Sequence, residues 1–257
     1  MPTYLITGTS SGIGLELVRQ LALRGDKIYA TCRARASKAT GEDLLSSVAS
    51  SGDVTVVEGI DTMDDGVGAA LKAALAGVTL DVIIHNAGGL NTTRDLKGME
   101  TMMDQSFDNV TTACMMDTFN LNCLGPLRVQ QALTAQMSPA GKVVVISTGM
   151  GSIGDNGSSG VYAYRTSKAA VNMVTKNMSV DLGKKGIAVC CINPRMVQTA
   201  FGPGAEAMKG MGAIPVDESV EGLVKAADQL TLENNHGKFL SVPKERGTDP
   251  VEFPGGW

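Results

Sequence analysis

Short apolar runs alternate with longer segments of helical period along most of the chain, and this alternation constrains the fold more than any other feature. It indicates parallel strands joined by crossover helices that cover both faces of a sheet. Seven strands are predicted, at Thr3–Thr7, Lys27–Thr31, Val54–Glu58, Val82–His85, Lys142–Ser147, Ile187–Asn193 and Lys238–Ser241. The expected fold class is therefore α/β, a single doubly wound parallel sheet of seven strands with helices on both faces.

The same periodicity predicts six helices, at Ile13–Arg24, Asp43–Ser50, Asp65–Leu75, Asn109–Gln136, Val161–Leu182 and Asp217–Leu230. Because no linker-like stretch or internal repeat interrupts the pattern, we expect residues 1–257 to form one domain. Two segments break the rhythm, residues 89–109 and the glycine-rich Phe201–Pro215, which shows no strand or helix pattern. Both follow predicted strand ends, where open α/β sheets bind ligands.

Composition excludes several classes of function. The net charge of −4 argues against nucleic acid as a partner, because a nucleic-acid backbone requires a basic face. Apolar runs fall short of the roughly 18 residues that a membrane helix needs, and no secretory leader is recognised. The five cysteines and two histidines lack metal-ligand spacing, so we expect packing roles and no metal site. A cytoplasmic location and no membrane partner are expected.

A glycine-rich turn, T-G-T-S-S-G-I-G at Thr7–Gly14, follows the first predicted strand and opens an amphipathic helix. Gly8 permits a tight turn, Gly12 lets the backbone approach a pyrophosphate, and Gly14 allows the helix to pack against the strand. The N-terminus of the helix adds free N–H groups and the positive end of a dipole. This turn predicts dinucleotide binding by Gly8, Ser10, Ser11, Gly12, Ile13 and Gly14.

The spacing T-G-x-x-x-G-x-G resembles that of the short-chain dehydrogenase/reductase family, and matches to other family motifs follow in chain order over residues 3–199. They are Asp61, Asn86-Ala87-Gly88, Asn122 in N-x-x-G, Tyr164 and Lys168 in Y-x-x-x-K, Pro194 and Thr199. The segments 30–33 and 164–168 are most similar to sniffer-type carbonyl reductases. The resemblance implies a Rossmann fold, cofactor binding by Asn86, Ala87, Gly88 and Pro194, contact of Asp61 with adenine, and contact of Thr199 with the nicotinamide carboxamide.

Tyr164 and Lys168 stand four residues apart on a predicted helix, so their side chains share one face. A neighbouring ammonium and the positive ring of an oxidised cofactor both favour a phenolate, so we expect them to lower the pKa of Tyr164 from its ordinary value near 10. Tyr164 then acts as general acid in carbonyl reduction, or as base in alcohol oxidation. The resemblance further implies that Lys168 holds the nicotinamide ribose and that Asn122 positions a water in a proton relay.

The resemblance also implies a hydroxyl that binds the substrate carbonyl after the fifth strand. The family pattern S-S-x-x-G aligns with 147–151 and places Thr148 at the catalytic position, where threonine offers the same hydrogen-bonding groups as serine. Thr148 lies 16 residues before Tyr164, a longer spacing than is usual in the family, whereas Ser152 lies 12 residues before it. Thr148 is preferred, and Ser152 is the alternative.

Two further positions depart from the family pattern. Arg195 replaces the glycine of P-G and is expected to place a cation beside the nicotinamide pocket. Ala200 stands where many relatives carry an acidic residue. Neither change removes a catalytic group, so we expect the reaction of the family. The substrates of relatives, however, cannot be assigned to this chain.

The end of the second predicted strand favours NADPH as the cofactor. An NAD-selective site carries Asp or Glu there, whereas this chain has Arg33, followed by Arg35 and Lys38. A guanidinium can bind a 2′-phosphate through two hydrogen bonds. The expected function is reduction of a small-molecule ketone or aldehyde by NADPH. The alternatives are an NAD(P)-dependent alcohol dehydrogenase working in the oxidative direction and a non-catalytic NADP-binding regulatory protein.

We also form expectations for the oligomeric state of the protein and for the segment that covers its substrate pocket. The resemblance implies a homodimer or homotetramer formed through the two helices predicted at Asn109–Gln136 and Val161–Leu182. Phe201–Pro215 is expected to form a lid over an apolar substrate pocket, flanked by residues 89–109. Its glycines can absorb backbone rotations, and Ala205–Met211 offers an apolar face with two methionines.

Overall fold

One sheet contains all the strands in the residues that the computed structural model describes, which are 1–33, 46–50, 52–90 and 105–257. The strands are β1 (Thr3–Thr7), β2 (Lys27–Thr31), β3 (Val54–Val57), β4 (Leu80–His85), β5 (Met137–Ile146), β6 (Ala188–Asn193), β7 (Phe239–Ser241) and β8 (Val251–Glu252). Their order is β3-β2-β1-β4-β5-β6-β7-β8, parallel except for the antiparallel β8. The expected doubly wound α/β fold is confirmed. The predicted strand number was one too low because two-residue β8 is too short to show a period.

Helices connect these strands on both faces of the sheet. They are α1 (Gly12–Arg24), α2 (Val67–Ala74), α3 (Thr112–Phe119), α4 (Gly125–Leu133), α5 (Tyr162–Gly183), α6 (Ala205–Gly210) and α7 (Val216–Gln229). Residues 46–49 are also helical, and most of the remainder of the predicted Asp43–Ser50 helix lies outside the described residues. In the part of the chain that is described, no helix is long and apolar enough to cross a bilayer.

The predicted continuous helix over Asn109–Gln136 is wrong. The structure has α3, then a π-helical turn at Asn120–Leu124, then α4 and a 3₁₀ turn at Thr134–Gln136. Pro126 has no N–H and cannot donate to a carbonyl in the preceding turn, so the regular hydrogen-bond ladder is interrupted just before α4. Asn122 lies inside the π-helical turn, a distortion that is frequent at functional sites.

The core forms on both faces of the sheet because successive strand residues point in opposite directions. On one face, Ile6 of β1 packs in a cluster with Leu17 of α1 and residues of α7. On the other face, Leu5 of β1 packs in a cluster with Leu71 of α2 and residues of α4. This buried framework fixes the strand ends, and the strand order reverses between β1 and β4. In open α/β sheets that reversal creates a crevice at the carboxyl ends of the strands.

Candidate active site

The glycine turn after β1 has the backbone conformation that its sequence predicts. Gly8 and Gly12 have φ values of 72° and 55°, in the left-handed region that favours glycine. A Cβ on Gly8 would lie 2.8 Å from Ala87 Cα, and a Cβ on Gly14 would lie 2.2 Å from Gly8 O. The turn therefore leaves space for glycine alone at two positions, and it brings α1 close to the ends of β1 and β4.

Thr7 and Asn86 join the ends of β1 and β4. The Asn86 side chain donates to Thr7 O at 3.0 Å and to Gly8 O at 2.9 Å. Thr7 Oγ1 accepts from the main-chain N–H groups of Asn86 and Ala87, both at 3.0 Å. This role of Thr7 is not apparent from the sequence alone. These bonds fix the shape of the glycine turn from the side of β4.

The other residues of the glycine turn lie at the start of α1. Ser11 is the N-terminal capping residue of α1, has extended backbone and makes no side-chain capping bond. Ser11 is exposed, while Ser10 and Ile13 are half-buried. Thr199, from the chain after β6, approaches this turn: a Cβ on Gly12 would lie 3.5 Å from Thr199 Cγ2. The structure thus brings Thr199 to the turn, and its contact with the nicotinamide carboxamide stays a prediction.

Three predicted binding residues follow strand ends, two of them after the neighbouring strands β3 and β2 and one after β6. Asp61 follows β3, and its Oδ1 accepts from Met63 N at 3.0 Å. Arg33 follows β2 and is exposed, while Arg35 and Lys38 lie outside the described residues. Pro194 follows β6, where its carbonyl accepts from Ser219 Oγ at 2.8 Å.

Asn122 joins the chain after β4 to α5. It is buried, its side-chain NH₂ donates to Gly89 O at 2.8 Å and Ser167 Oγ at 3.0 Å, and its Oδ1 accepts from Gly89 N at 2.9 Å. A Cβ on Gly88 would lie 2.9 Å from Asn122 Oδ1 and 3.4 Å from Lys168 Nζ. Gly88 therefore contacts two of the predicted catalytic side chains. The water relay through Asn122 stays a prediction.

Lys168 is buried beside the end of β5. Its ammonium donates to Ile146 O at 2.9 Å and lies 5.9 Å from the centroid of the Tyr164 ring. Burial lowers the pKa of Lys168 from 10.5 to about 8, because the charged form loses hydration. The amine is therefore close to its titration point at neutral pH.

The expected lowering of the Tyr164 pKa by Lys168 is wrong. Tyr164 is buried, and burial raises the pKa of its phenol well above the ordinary value of 10. The cause is desolvation of the phenolate, while the ammonium of Lys168 makes its hydrogen bond with Ile146 O. Tyr164 is consequently protonated at neutral pH, the form that can donate a proton.

The three hydroxyls near the end of β5 differ in their hydrogen bonds. Thr148 is half-buried, opens a 3₁₀ turn at Gly149–Gly151, and accepts from Met150 N at 3.2 Å. Ser147 is buried and donates to Asn172 Oδ1 at 2.6 Å. Ser152 is also buried and donates to carbonyls of residues 255 and 257. Thr148 thus keeps a partly accessible hydroxyl, whereas the protons of the two serines are used inside the protein.

The C-terminal segment packs on the loop that carries Thr148. A Cβ on Gly149 would lie 2.8 Å from Phe253 Cζ, and Ile153 N donates to Trp257 O at 3.3 Å. Gly151 meets α5 on the other side, where an added Cβ would lie 2.9 Å from the carbonyl carbon of Lys168. The loop is therefore held between the C-terminal segment and α5.

The side chain of Arg195 has partners inside the protein and is not a free cation, and its place beside the nicotinamide stays a prediction. Its backbone has φ 68°, the left-handed conformation that a glycine adopts more easily. Its guanidinium donates to Pro243 O at 3.1 Å and lies 3.6 Å from Glu218 Oε1. The carboxylate of Glu218, on α7, offsets the positive charge, and Pro243, on the chain after β7, supplies a neutral acceptor.

Part of Phe201–Pro215 is helical, contrary to the expectation of no regular structure. Helix α6 occupies its middle, and Gly202, Gly204 and Gly212 have positive φ values on either side. A bridge between Val197 and Ile214 closes the base of the segment. The six-residue helix was missed because it is too short to show a helical period.

The expected apolar face of this segment is partly formed. The ring of Phe201 lies 5.8 Å from the ring of Tyr164, centroid to centroid, and a Cβ on Gly202 would lie 3.4 Å from Leu90. Met208 is half-buried, while Met211 is exposed. Phe201 therefore forms an apolar wall beside the predicted general acid.

Gln105 is a residue that sequence analysis missed. It is buried, its Oε1 accepts from Tyr164 N at 2.8 Å, and its main-chain carbonyl accepts from Tyr162 N at 2.9 Å. The signal in the sequence is indirect: Val161, at the start of α5, has no side chain that can cap a helix. Residues 91–104 of the flanking segment lie outside the described residues.

Comparisons with known proteins agree with this arrangement. Residues 2–236 match the family model of the short chain dehydrogenases. The chain belongs to this family. One relative is 1-hydroxy-2-glutathionyl-2-methyl-3-butene dehydrogenase from Rhodococcus sp. (strain AD45). The two sequences are 34% identical over a region that covers 93% of this chain and 96% of the relative.

Two solved structures have the same fold as this short-chain dehydrogenase. The NADPH-bound carbonyl reductase from chicken fatty liver is 25% identical, with TM-score 0.78 and coverage of 96% of this chain and 98% of the other. The carbonyl reductase Sniffer of D. melanogaster is also 25% identical, with TM-score 0.75 and coverage of 98% and 100%. The predicted family and its similarity to sniffer-type carbonyl reductases are confirmed. No group of His, Cys, Asp or Glu side chains that would suit a metal occurs among the described residues.

Proposed function

We propose that this short-chain dehydrogenase reduces a ketone or aldehyde to an alcohol with NADPH, with Tyr164 as the general acid. The observation that supports it best is a buried Tyr164 on the same helix as Lys168, with the ring of Phe201 beside its own ring. General acid catalysis of this kind typically contributes about 10² to 10⁴ in rate.

The described residues fit a bound dinucleotide. The glycine turn has no room for a Cβ at Gly8 or Gly14, and α1 presents the free N–H groups of its first turn to an anion. NADPH, when bound, supplies the hydride. Arg33 is exposed at the end of β2 and is assigned to the 2′-phosphate. The carbonyl reductase from chicken fatty liver, solved with NADPH, supports this cofactor.

The remaining residues of the site handle the substrate oxygen and its proton. Thr148 Oγ1 and the phenol of Tyr164 donate hydrogen bonds to the carbonyl oxygen, and Tyr164 transfers its proton as the alcohol forms. Protonated Lys168 then stabilises the phenolate that is left. Phe201 and Leu90 exclude water from one side, which strengthens these hydrogen bonds. We place the lid of the pocket at Phe201–Pro215.

A cofactor-oxidation assay tests this proposal. NADPH and NADH are each mixed with a panel of bulky apolar ketones and aldehydes, and the loss of nicotinamide absorbance is followed. Faster turnover with NADPH is expected, together with protection of residues 202–212 from limited proteolysis when cofactor and ketone are both present. Absence of turnover with every carbonyl compound and both cofactors contradicts the proposal.

Oxidation of an alcohol is the second candidate. It is favoured by the Rhodococcus relative, which is named as a dehydrogenase and matches almost the whole chain. The same Tyr164 serves as the base in that direction. Measuring NADP⁺ and NAD⁺ reduction with the matching alcohols distinguishes the two directions. A purely regulatory protein would not need Asn122, Tyr164 and Lys168 in this arrangement.

We further propose that residues 1–257 form a single domain and that the enzyme assembles as a homodimer or homotetramer in the cytoplasm. Met116 of α3 and both Met173 and Val180 of α5 are apolar and exposed, which supports association through these helices. Three buried cysteines outside any disulfide, Cys123, Cys190 and Cys191, suit a reducing compartment. Light scattering coupled to gel filtration measures the assembly, and a monomer at micromolar concentration contradicts it.

A further inference from the structure

A buried glutamine lies between the catalytic helix and the chain after β4. Gln105 is fully buried, and its amide contacts both segments: Oε1 accepts from Tyr164 N at 2.8 Å, and Nε2 donates to Leu90 O. Its main-chain carbonyl accepts from Tyr162 N at 2.9 Å. One residue thus bonds to the first turn of α5 twice and to the β4 segment once.

The first turn of α5 needs these acceptors. The N–H groups of a first helical turn have no partners within the helix, and a side chain at the capping position usually accepts from one of them. Here Val161 holds that position, with a left-handed backbone at φ 49° and no hydrogen-bonding side chain. Gln105 therefore supplies, from a distant part of the sequence, the cap that α5 lacks.

The bonds of Gln105 continue into a closed ring that returns to Tyr164. Leu90 follows Gly89, whose backbone bonds the side chain of Asn122 at 2.8 and 2.9 Å. Asn122 donates to Ser167 Oγ at 3.0 Å. Ser167 Oγ in turn donates to Tyr164 O at 2.8 Å. The main chain of Tyr164 is thereby held at its N–H by Gln105 and at its carbonyl by the Ser167–Asn122 pair.

We propose that Gln105 is a positioning residue that sets the place of Tyr164 relative to the chain after β4. This inference rests on the proposed function, since it concerns the same general acid. A phenol that transfers a proton must stay within hydrogen-bond reach of the substrate oxygen, and misplacement by about 1 Å can reduce the rate about 10²-fold. Gln105 contacts Tyr164 only through the main chain, so its effect is expected in kcat and not in cofactor binding.

The test compares Gln105→Leu with Gln136→Leu. Gln136 is a half-buried glutamine that also donates to a main-chain carbonyl, Leu75 O at 2.6 Å, near the opposite end of the sheet. We expect Gln105→Leu to lower kcat at least tenfold with the NADPH dissociation constant within twofold of wild type, and Gln136→Leu to change neither. A smaller loss of kcat, or an equal loss of NADPH affinity, overturns the proposal.

Hydrogen exchange provides a readout that needs no catalytic activity. In Gln105→Leu the N–H of Tyr164 loses its acceptor, while the N–H of Tyr162 keeps the main-chain carbonyl of residue 105. The Tyr164 amide, followed in peptides covering 162–168, should therefore exchange at least tenfold faster, while Gln136→Leu leaves it unchanged. If these peptides exchange at the same rate in Gln105→Leu as in wild type, the proposal is overturned, even when the wild-type protein shows no activity. An inactive wild type with faster exchange in Gln105→Leu refutes only the proposed reaction.

Gln105→Glu separates lost positioning from lost packing. A protonated carboxyl can still donate to Leu90 O and accept from Tyr164 N, whereas the carboxylate cannot donate. The kcat of Gln105→Glu relative to wild type should therefore recover as the pH falls, while that of Gln105→Leu stays low. Parallel pH profiles of kcat for the two variants contradict a role for the donated bond.

Discussion

Replacing Lys168 with methionine tests the electrostatics of the site through the pH dependence of folding. Lys168 is 5% exposed, and burial lowers its pKa from 10.5 to about 8. Each pKa unit corresponds to about 1.4 kcal/mol, so keeping this amine protonated in the folded state costs about 3 kcal/mol at low pH. Because the folded pKa lies below the unfolded one, the cost disappears as the pH rises from about 8 to 10.5. The wild-type protein therefore gains stability from this group across that window.

The measurement is the free energy of unfolding by urea at neutral pH and at about pH 10, for wild type and Lys168→Met. Relative to the variant, wild type should gain about 2–3 kcal/mol between the two conditions. Lys184→Met is the control, since Lys184 is the C-terminal capping residue of the same helix and its side chain is 72% exposed. A difference between wild type and Lys168→Met that does not change with pH refutes the argument from burial.

Four other substitutions test individual parts of the site. Tyr164→Phe removes the transferable proton and should lower kcat about 10² to 10⁴-fold with NADPH binding kept; more than half of the wild-type turnover contradicts this. Thr148→Ala should lose about 10²-fold in kcat, as when a donor to a developing oxyanion is removed, whereas a larger loss in Ser152→Ala assigns the hydroxyl to Ser152. Arg33→Asp should reverse the preference in kcat/KM for NADPH over NADH, and an unaltered ratio removes Arg33 from the 2′-phosphate site. The free energy of unfolding of Arg195→Gly should be about 1 kcal/mol higher than that of Arg195→Ala, because glycine adopts the left-handed backbone at this position without strain and alanine does not. Equal free energies of unfolding contradict such strain.

The parts predicted correctly from the sequence are those encoded by short-range patterns. The glycine turn at Thr7–Gly14 combines a strand, three spaced glycines and an amphipathic helix within a few residues, and all of these occur in the structure. Tyr164 and Lys168 share a helix, so their proximity follows from helical geometry. The strand alternation likewise predicted seven of the eight strands in the described sheet.

The features that sequence analysis missed depend on contacts between distant segments. Gln105 lies 59 residues before Tyr164 and belongs to no motif, so only the folded chain reveals its bonds. The direction of Arg195 depends on acceptors supplied by Glu218 and Pro243. The raised pKa of Tyr164 is a consequence of burial, which a four-residue spacing does not report.

The contact between the C-terminal segment and the loop of Thr148 has a consequence for the order of folding. Ser152 Oγ bonds to the carbonyls of residues 255 and 257, which lie 103 and 105 positions further along the chain. Pairings over such separations form slowly, because the loop-closure entropy is lost before the contact is made. During refolding, the hydroxyl of Thr148 should therefore reach its final place only after the segment from Phe253 to Trp257 has docked, and recovered turnover should lag behind recovered helix and sheet.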